Sequence, residues 1–207
     1  MKDFSRVIVS GRLVARPIVR NSTTNIIAKA RIACNEKIVD KQHTNFFDLT
    51  FFSPQSQYII KEADKGDKYT IIGSLRQEKW VDKYGNNRKN IEIVVDSAIK
   101  TSAAYNKRVV VVMGRLSEDI KVVNTKGAII ANGSIAFNTL SRSDGELIRT
   151  PNFIDIKLFN KLAEIGAEYG IKGRVAMIYG RLRYEEWQHD DSMRSKVYII
   201  VDELDLV

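Results

Sequence analysis

The sequence repeats itself, and a chain built twice from one plan must fold as two copies of one domain. VIVSGRL at 7–13 returns as VVVMGRL at 110–116, and IAKARIACN at 27–35 as IANGSIAFN at 130–138, both at an offset of 103 residues. FFDLTFF at 46–52 returns as FIDIKLF at 153–159, and KGDKYTIIGSLRQEKW at 65–80 as KGRVAMIYGRLRYEEW at 172–187, at an offset of 107. IEIVVD at 91–96 answers VYIIVD at 197–202, at 106. Five matched blocks in one order, with length changes only between them, describe a duplication with altered loops. The seam falls in KTSAAYNK, residues 100–107, where small polar residues interrupt two apolar runs. The expected domains are residues 1–104 and 105–207, each near the roughly 100 residues that suffice for a compact core.

Within each half the pattern is strand. VIVSGRLV, IIAKARIACN, FFDLTFF, KYTIIGSLRQEKW and KNIEIVVD are rich in β-branched and aromatic residues and are separated by the turn-formers NSTTN, DKG and YGNN. Between the third and fourth strands lie SPQSQYIIKEADKG and, in the second half, NKLAEIGAEYGIKG, short helical patterns each closed by a glycine. Five strands with a helix between the third and fourth is the order of a five-stranded Greek-key barrel. The expected architecture is therefore all-β, two tandem OB-folds. A small sandwich is the competitor, and the helix recurring at one place in both halves argues against it.

Charge narrows the partners. With 33 Lys and Arg against 25 Asp and Glu the net charge is +8, which favours a polyanion, either nucleic acid or an anionic membrane surface. No apolar run approaches the roughly 18 residues needed to cross a bilayer, and the N-terminus MKDFSRVIVSGRL lacks an apolar signal segment. The chain is expected to be soluble and cytoplasmic. Cys34 has no second cysteine to pair with, and His43 and His189 are its only histidines, so neither a disulfide, a metal site nor a cofactor is expected. The histidines occupy non-equivalent loops outside any nucleophile or metal motif, and catalysis is not expected.

Side chains alternate between the faces of a strand. In FFDLTFF, Phe47, Leu49 and Phe51 are expected inside the barrel, and Phe46, Asp48, Thr50 and Phe52 outside. In FIDIKLF, Ile154, Ile156 and Leu158 point in, and Phe153, Asp155, Lys157 and Phe159 point out. Ser74, Arg76, Glu78 and Trp80 share a face, as do Arg181, Arg183, Glu185 and Trp187, unless Gly73 or Gly180 hosts a bulge that shifts the parity. The hairpin EKWVDKYGNNRKN adds Lys79, Lys83, Tyr84, Arg88 and Lys89. Arg12 and Arg115, from the repeated G-R-L, complete the candidate set. Exposed rings among cations suit single-stranded nucleic acid, whose unpaired bases stack on aromatics at about 1 to 3 kcal/mol each while cations follow the phosphates. Two alternatives stay open: core packing for Phe52 and Phe159, and a protein interface for Trp80 and Trp187.

The blocks VIVSGRL, FFDLTFF, KGDKYTIIGSLRQEKWVDKYGN and IVVD, in that order and spacing, resemble the bacterial single-stranded DNA-binding protein family across nearly the whole of both halves. The resemblance implies sequence-tolerant, non-catalytic binding of single-stranded DNA in replication, recombination or repair, close to the nucleoid. Its stacking positions carry over to Phe46, Phe52 and Trp80, and to Phe153, Phe159 and Trp187. It also implies a homodimer, because family members assemble four OB-folds and this chain resembles the group with two per chain. The runner-up is an OB-fold RNA-binding or primosome-type accessory protein.

Three departures from the family pattern stand out. A further aromatic stacking position appears here as Ile38 and Ser141. The family's acidic, partner-recruiting C-terminal tail has no counterpart in the closing VDELDLV, which is expected of either a truncated chain or a specialised paralogue. Finally, residues 1–104 hold 18 Lys and Arg against 11 Asp and Glu, a net +7, while residues 105–207 hold 15 against 14, a net +1. The first domain is accordingly expected to supply most of the phosphate contact, and the second stacking and assembly.

Overall fold

The computed structural model describes residues 3–21, 26–82, 85–102, 106–125, 127–143, 146–189 and 192–207. The expected boundary near 104, together with Lys83 and Tyr84, lies outside the described residues. The first repeat forms β1 (Phe4–Leu13), β2 (Ile18–Asn21), β3 (Ile26–Ile38), β4 (Lys41–Phe51), α1 (Gln55–Glu62), β5 (Lys68–Val81) and β6 (Asn87–Lys100). The second forms β7 (Arg108–Leu116), β8 (Lys121–Thr125), β9 (Ala128–Ser143), β10 (Glu146–Phe159), α2 (Lys161–Tyr169), β11 (Val175–His189) and β12 (Ser192–Leu206).

Each repeat closes a five-stranded barrel. In the first, β1 pairs antiparallel with β5 and, at Arg12↔Ala33 and Leu13↔Ile32, with β3. β3 runs antiparallel to β4, β4 parallel to β6, and β6 antiparallel to β5. In the second, β7 pairs with β11 and β9, β9 with β10, β10 runs parallel to β12, and β12 neighbours β11. The sixth strand of each repeat, β2 or β8, was not expected from the sequence. It carries the pairing of β1 or β7 further along the long β3 or β9, from Ile18↔Lys29 and from Lys121↔Asn132. In the first repeat Pro17 sits in the bend between β1 and β2, where its lack of an N–H interrupts the ladder.

The barrels are filled as the alternation predicts. Phe47, Leu49 and Phe51 of β4 and Ile154, Ile156 and Leu158 of β10 are all buried. Val7, Val9, Ile32, Ile71, Leu75 and Ile93 surround the first set, and Val110, Val112, Ile135, Ile178, Leu182 and Ile199 the second. Cys34 and its counterpart Phe137 are both buried packing positions, and burial pushes the Cys34 thiol up to about 12, far from a reactive thiolate.

The repeated G-R-L glycine is required where the barrel closes: a Cβ on Gly11 would stand 2.2 Å from the Ala33 carbonyl oxygen, and one on Gly114 2.1 Å from that of Ala136. Gly73 and Gly180 meet the same constraint, against the carbonyl oxygens of Val94 and Ile200, each at 2.2 Å. The bulge at Gly73 falls on the partner strand, because Ile72 faces Ser97 and Gly73 faces Val95, leaving Asp96 of β6 as the extra residue. Parity along β5 is therefore unbroken. One boundary differs from expectation: α1 stops at Ala63 in extended conformation, and Gly66, at φ +89°, serves the turn into β5 instead of the helix stop.

By packing, the chain divides into two compact units, Arg6–Arg108 with Tyr184–Lys196, and Val109–Arg183 with Met1–Ser5 and Val197–Val207. The end of the β11–β12 hairpin thus packs within the first unit.

Candidate nucleic-acid interface

Four adjacent strands of the first repeat turn one face outward. Register places Arg31, Asp48, Glu92 and Arg76 in one row across β3, β4, β6 and β5, and Lys29, Thr50, Val94 and Ser74 in the next. Phe46 and Asn90 lie one step further along, and Trp80 stands opposite Arg88 where the β5–β6 hairpin leaves the barrel. The strands bring Phe46, Phe52, Arg76 and Trp80 to this side, as the alternation requires; Thr50 lies on the same side but is fully buried, its hydroxyl donated to Glu92, so it is a support of the face and not the exposed contact expected of it.

Glu92 is the hub of the face. Its side chain is fully buried, yet each of its oxygens has two polar side-chain atoms against it. Oε1 takes Arg76 Nε at 2.7 Å, with a second guanidinium nitrogen at 2.5 Å; Oε2 takes Lys29 Nζ and Thr50 Oγ1, each at 2.6 Å. Burial by itself raises this carboxyl's pKa, but the bonds from Lys29 and Thr50 and the charge of Arg76 outweigh it and hold the group below its ordinary value. Lys29 also reaches Glu78 at 3.0 Å. The Arg76 guanidinium carbon lies 5.3 Å from the centroid of the half-buried Phe52 ring, a cation–π contact.

Asp48 organises the neighbouring row, accepting from Arg31 Nε at 2.7 Å, a second Arg31 nitrogen at 3.0 Å and Asn90 Nδ2 at 2.7 Å. Phe46 is half-buried, its edge against the Tyr184 ring at 5.5 Å and 82°, and the Tyr184 N–H donates to Asn45 Oδ1 at 3.0 Å. On the hairpin, Trp80 is 45% exposed. Arg88 is tied to Asp82 at 2.8 Å, which also accepts the Asn86 N–H at 2.9 Å. Lys79 and Lys89 face each other on the opposite side of the ribbon from Trp80, both exposed and neither ion-paired among the described residues. Like charges directly opposite destabilise a hairpin, so this pair is suited to an anion.

The second repeat keeps the rings and changes what surrounds them. Phe153 and Trp187 are each 37% exposed, and Phe159 is half-buried. Tyr198 takes the place of Glu92, Lys157 that of Thr50, and Asn132 that of Lys29. Lys157 Nζ lies 4.4 Å from the Tyr198 ring centroid.

The remaining candidates stand elsewhere. Arg12 donates to the Gly66 carbonyl at 2.9 Å and Arg115 to that of Gly173 at 3.0 Å, equivalent contacts at the turns into β5 and β11. Arg181 forks onto Asp202 at 2.9 and 3.0 Å, six residues before Trp187 and so about 20 Å along the strand from it. Arg183, nearer the indole, is half-buried. Ile38 and Ser141 are both exposed strand-end residues without a ring to offer.

Sequence reasoning did not single out Lys29, Arg31, Glu92 or Tyr198. The signal available was a charged residue in the middle of the buried run IEIVVD, and its replacement by an aromatic in the second copy.

A model of the single-strand binding protein family matches residues 4–101 and again residues 107–207. The single-stranded DNA-binding protein of Treponema pallidum is 32% identical over 99 residues, covering 47% of this chain and 56% of that protein. That of Borreliella burgdorferi is 36% identical over 99 residues, covering 46% and 66%. The chain thus spans between half and two thirds of the length of these curated relatives. Among solved structures, the wild-type single-stranded DNA binding protein from Thermus aquaticus superposes with a TM-score of 0.81 at 18% identity, covering 100% of this chain and 94% of that one, a likeness of fold.

Proposed function

Because the chain belongs to the single-strand binding protein family, in a tandem form that matches the family twice, we propose that it binds and protects single-stranded DNA without reading its sequence. The observation that carries this reading is the outward face of β3, β4, β6 and β5, where Phe46, Phe52 and Trp80 accompany Lys29, Arg31, Arg76 and Arg88 on one side of the barrel. Bases stack on the rings while the cations meet the phosphates, and the second repeat contributes Phe153, Phe159 and Trp187 in the same roles. Lys79 and Lys89 extend the contact to the other side of the hairpin ribbon, and Lys83 and Tyr84 are further contacts by sequence. Arg12, Arg115 and Arg181 contribute long-range attraction, and Lys157 and Arg183 serve the second face. The chain acts by binding, without catalysis, in replication, recombination or repair, in the cytoplasm beside the nucleoid.

The two family matches, 4–101 and 107–207, support a domain boundary near 104. A homodimer presenting four OB-folds is supported by the outer face of β11, where Met177 and Tyr179 are exposed apolar neighbours of Val175 and Arg181. No helix among the described residues is long and apolar enough to cross a membrane.

Competition among single-stranded DNA, RNA of the same sequence and duplex DNA tests the reading. Single-stranded DNA is expected to displace a labelled oligothymidylate best and duplex least, since duplex hides the faces of its bases. Preferential displacement by RNA would transfer the proposal to an RNA-binding role, and displacement by duplex as good as by single strand would refute stacking.

A further inference from the structure

A carboxylate at the centre of a phosphate-binding face repels the ligand that the face attracts, so its presence needs a reason. Glu92 has one in its geometry. Both oxygens are saturated, by Arg76 on one side and by Lys29 and Thr50 on the other, and the contacts tie three strands, β3, β4 and β5, to the fourth, β6. Arg76 and Lys29 are long side chains, and a long side chain left mobile must be ordered when a ligand binds. Held by Glu92, the guanidinium already lies over Phe52. A base arriving there meets a flat cation backed by a ring instead of a bare phenyl group.

The second repeat supports the same logic by a different route. Where Glu92 is lost, the partner residues change with it: Tyr198 receives a lysine supplied by β10 in place of the one supplied by β3, and the β3 position becomes Asn132. Each copy thus keeps one ammonium anchored on its central outward residue.

We propose that Glu92 is a positioning residue of the nucleic-acid face, fixing Arg76 over Phe52 and Lys29 beside Thr50 so that strand binding finds its cations in place. This rests on the single-strand-binding reading, and the test separates the two. The affinity of the full chain for oligothymidylate is measured against salt for wild type, Glu92→Gln and Arg76→Lys, with thermal unfolding of each as a check on the fold. In Glu92→Gln Arg76 is released to engage phosphate more fully, while Lys29 stays held by Glu78, so the logarithmic salt slope steepens by about 0.7. Binding becomes tighter than wild type at low salt and weaker at high salt, where the fixed stack no longer forms. Arg76→Lys, on the rim of the cluster, keeps the charge but lacks the planar fork; it is expected to bind more weakly at every salt concentration with the slope unchanged. A merely structural Glu92 would lower the unfolding temperature and leave the slope alone. Wild-type slope in a folded Glu92→Gln, or wild-type affinity in Arg76→Lys, overturns the proposal even if wild type binds well. Should Glu92→Gln fail to fold, wild-type affinity in Arg76→Lys still overturns the proposal. Absence of binding by wild type overturns both this proposal and the reading beneath it.

Discussion

The outward faces of the two repeats share a skeleton and differ in chemistry. On the first, a buried carboxylate gathers Lys29, Thr50 and Arg76; on the second, a tyrosine ring lies under Lys157. The flanking rings are kept at every matched position, Phe46 with Phe153, Phe52 with Phe159 and Trp80 with Trp187. Duplication has thus preserved the flat surfaces and let the means of holding cations diverge. Net charge alone, +7 against +1, assigns phosphate contact to the first repeat, but several of the first repeat's cations are already engaged with carboxylates on the same face. Formal charge and charge available to a ligand are different quantities.

The largest effect expected from breaking this pattern comes from the shared part. Trp80→Ala combined with Trp187→Ala should cost about 2 to 6 kcal/mol of binding to oligothymidylate, at 1 to 3 kcal/mol for each lost stack. The folds should remain intact by circular dichroism, since both indoles are partly exposed to solvent and neither lies in a barrel core. Comparing the single variants sharpens the contrast between the repeats. Trp80→Ala is expected to lose more, because its indole is the more exposed, 45% against 37%, and Glu185 and Glu186 precede Trp187.

Next in size is the electrostatic difference. Neutralising Lys79 and Lys89 to Gln should reduce the salt slope by about 0.7 for each cation that contacts phosphate, while relieving a repulsive cross-strand pair and raising thermal stability slightly. Unfolding and binding, measured on one preparation, should therefore move in opposite directions.

The smallest expected effect is the acid sensitivity that Glu92 gives the first repeat. The Glu92 carboxyl is held below its ordinary value of 4.5, so between that value and its folded value the unfolded chain binds more protons. The stability contributed by this group is fully present above about pH 4.5 and lost as pH falls through its lower folded value. Urea unfolding at descending pH should show this loss in wild type and not in Glu92→Gln. Tyr198 brings no carboxyl to the matched position in the second repeat.

Much of this was legible in the sequence because it depends on local periodicity. Strand alternation placed Phe47, Leu49 and Phe51 inside and Phe46 and Phe52 outside, and it held on β5 because the extra residue of the bulge sits on β6. β2 and β8 were not legible, since four or five residues beside Pro17 or after a polar turn read as loop until a long partner strand pairs with them. The Glu92 cluster was not legible for another reason. Lys29, Thr50, Arg76 and Glu92 come from four strands, and only parallel pairing of β4 with β6 makes them neighbours. The same holds for Tyr184, which meets Phe46 from 138 positions away in the sequence. Arg12 and Arg115 show the converse: an arginine repeated in both copies invites a ligand role, and the structure gives each a glycine carbonyl in the turn before β5 or β11.

The central claim, that exposed indoles meet unpaired bases, is tested most directly by tryptophan fluorescence of the full chain titrated with oligothymidylate and, in parallel, with duplex DNA of equal length. Strong saturable quenching by the single strand, little by the duplex, and the residual signal of Trp187 alone in Trp80→Ala are expected. Indole emission indifferent to the single strand at concentrations where binding is complete, or quenched equally by duplex, would contradict it.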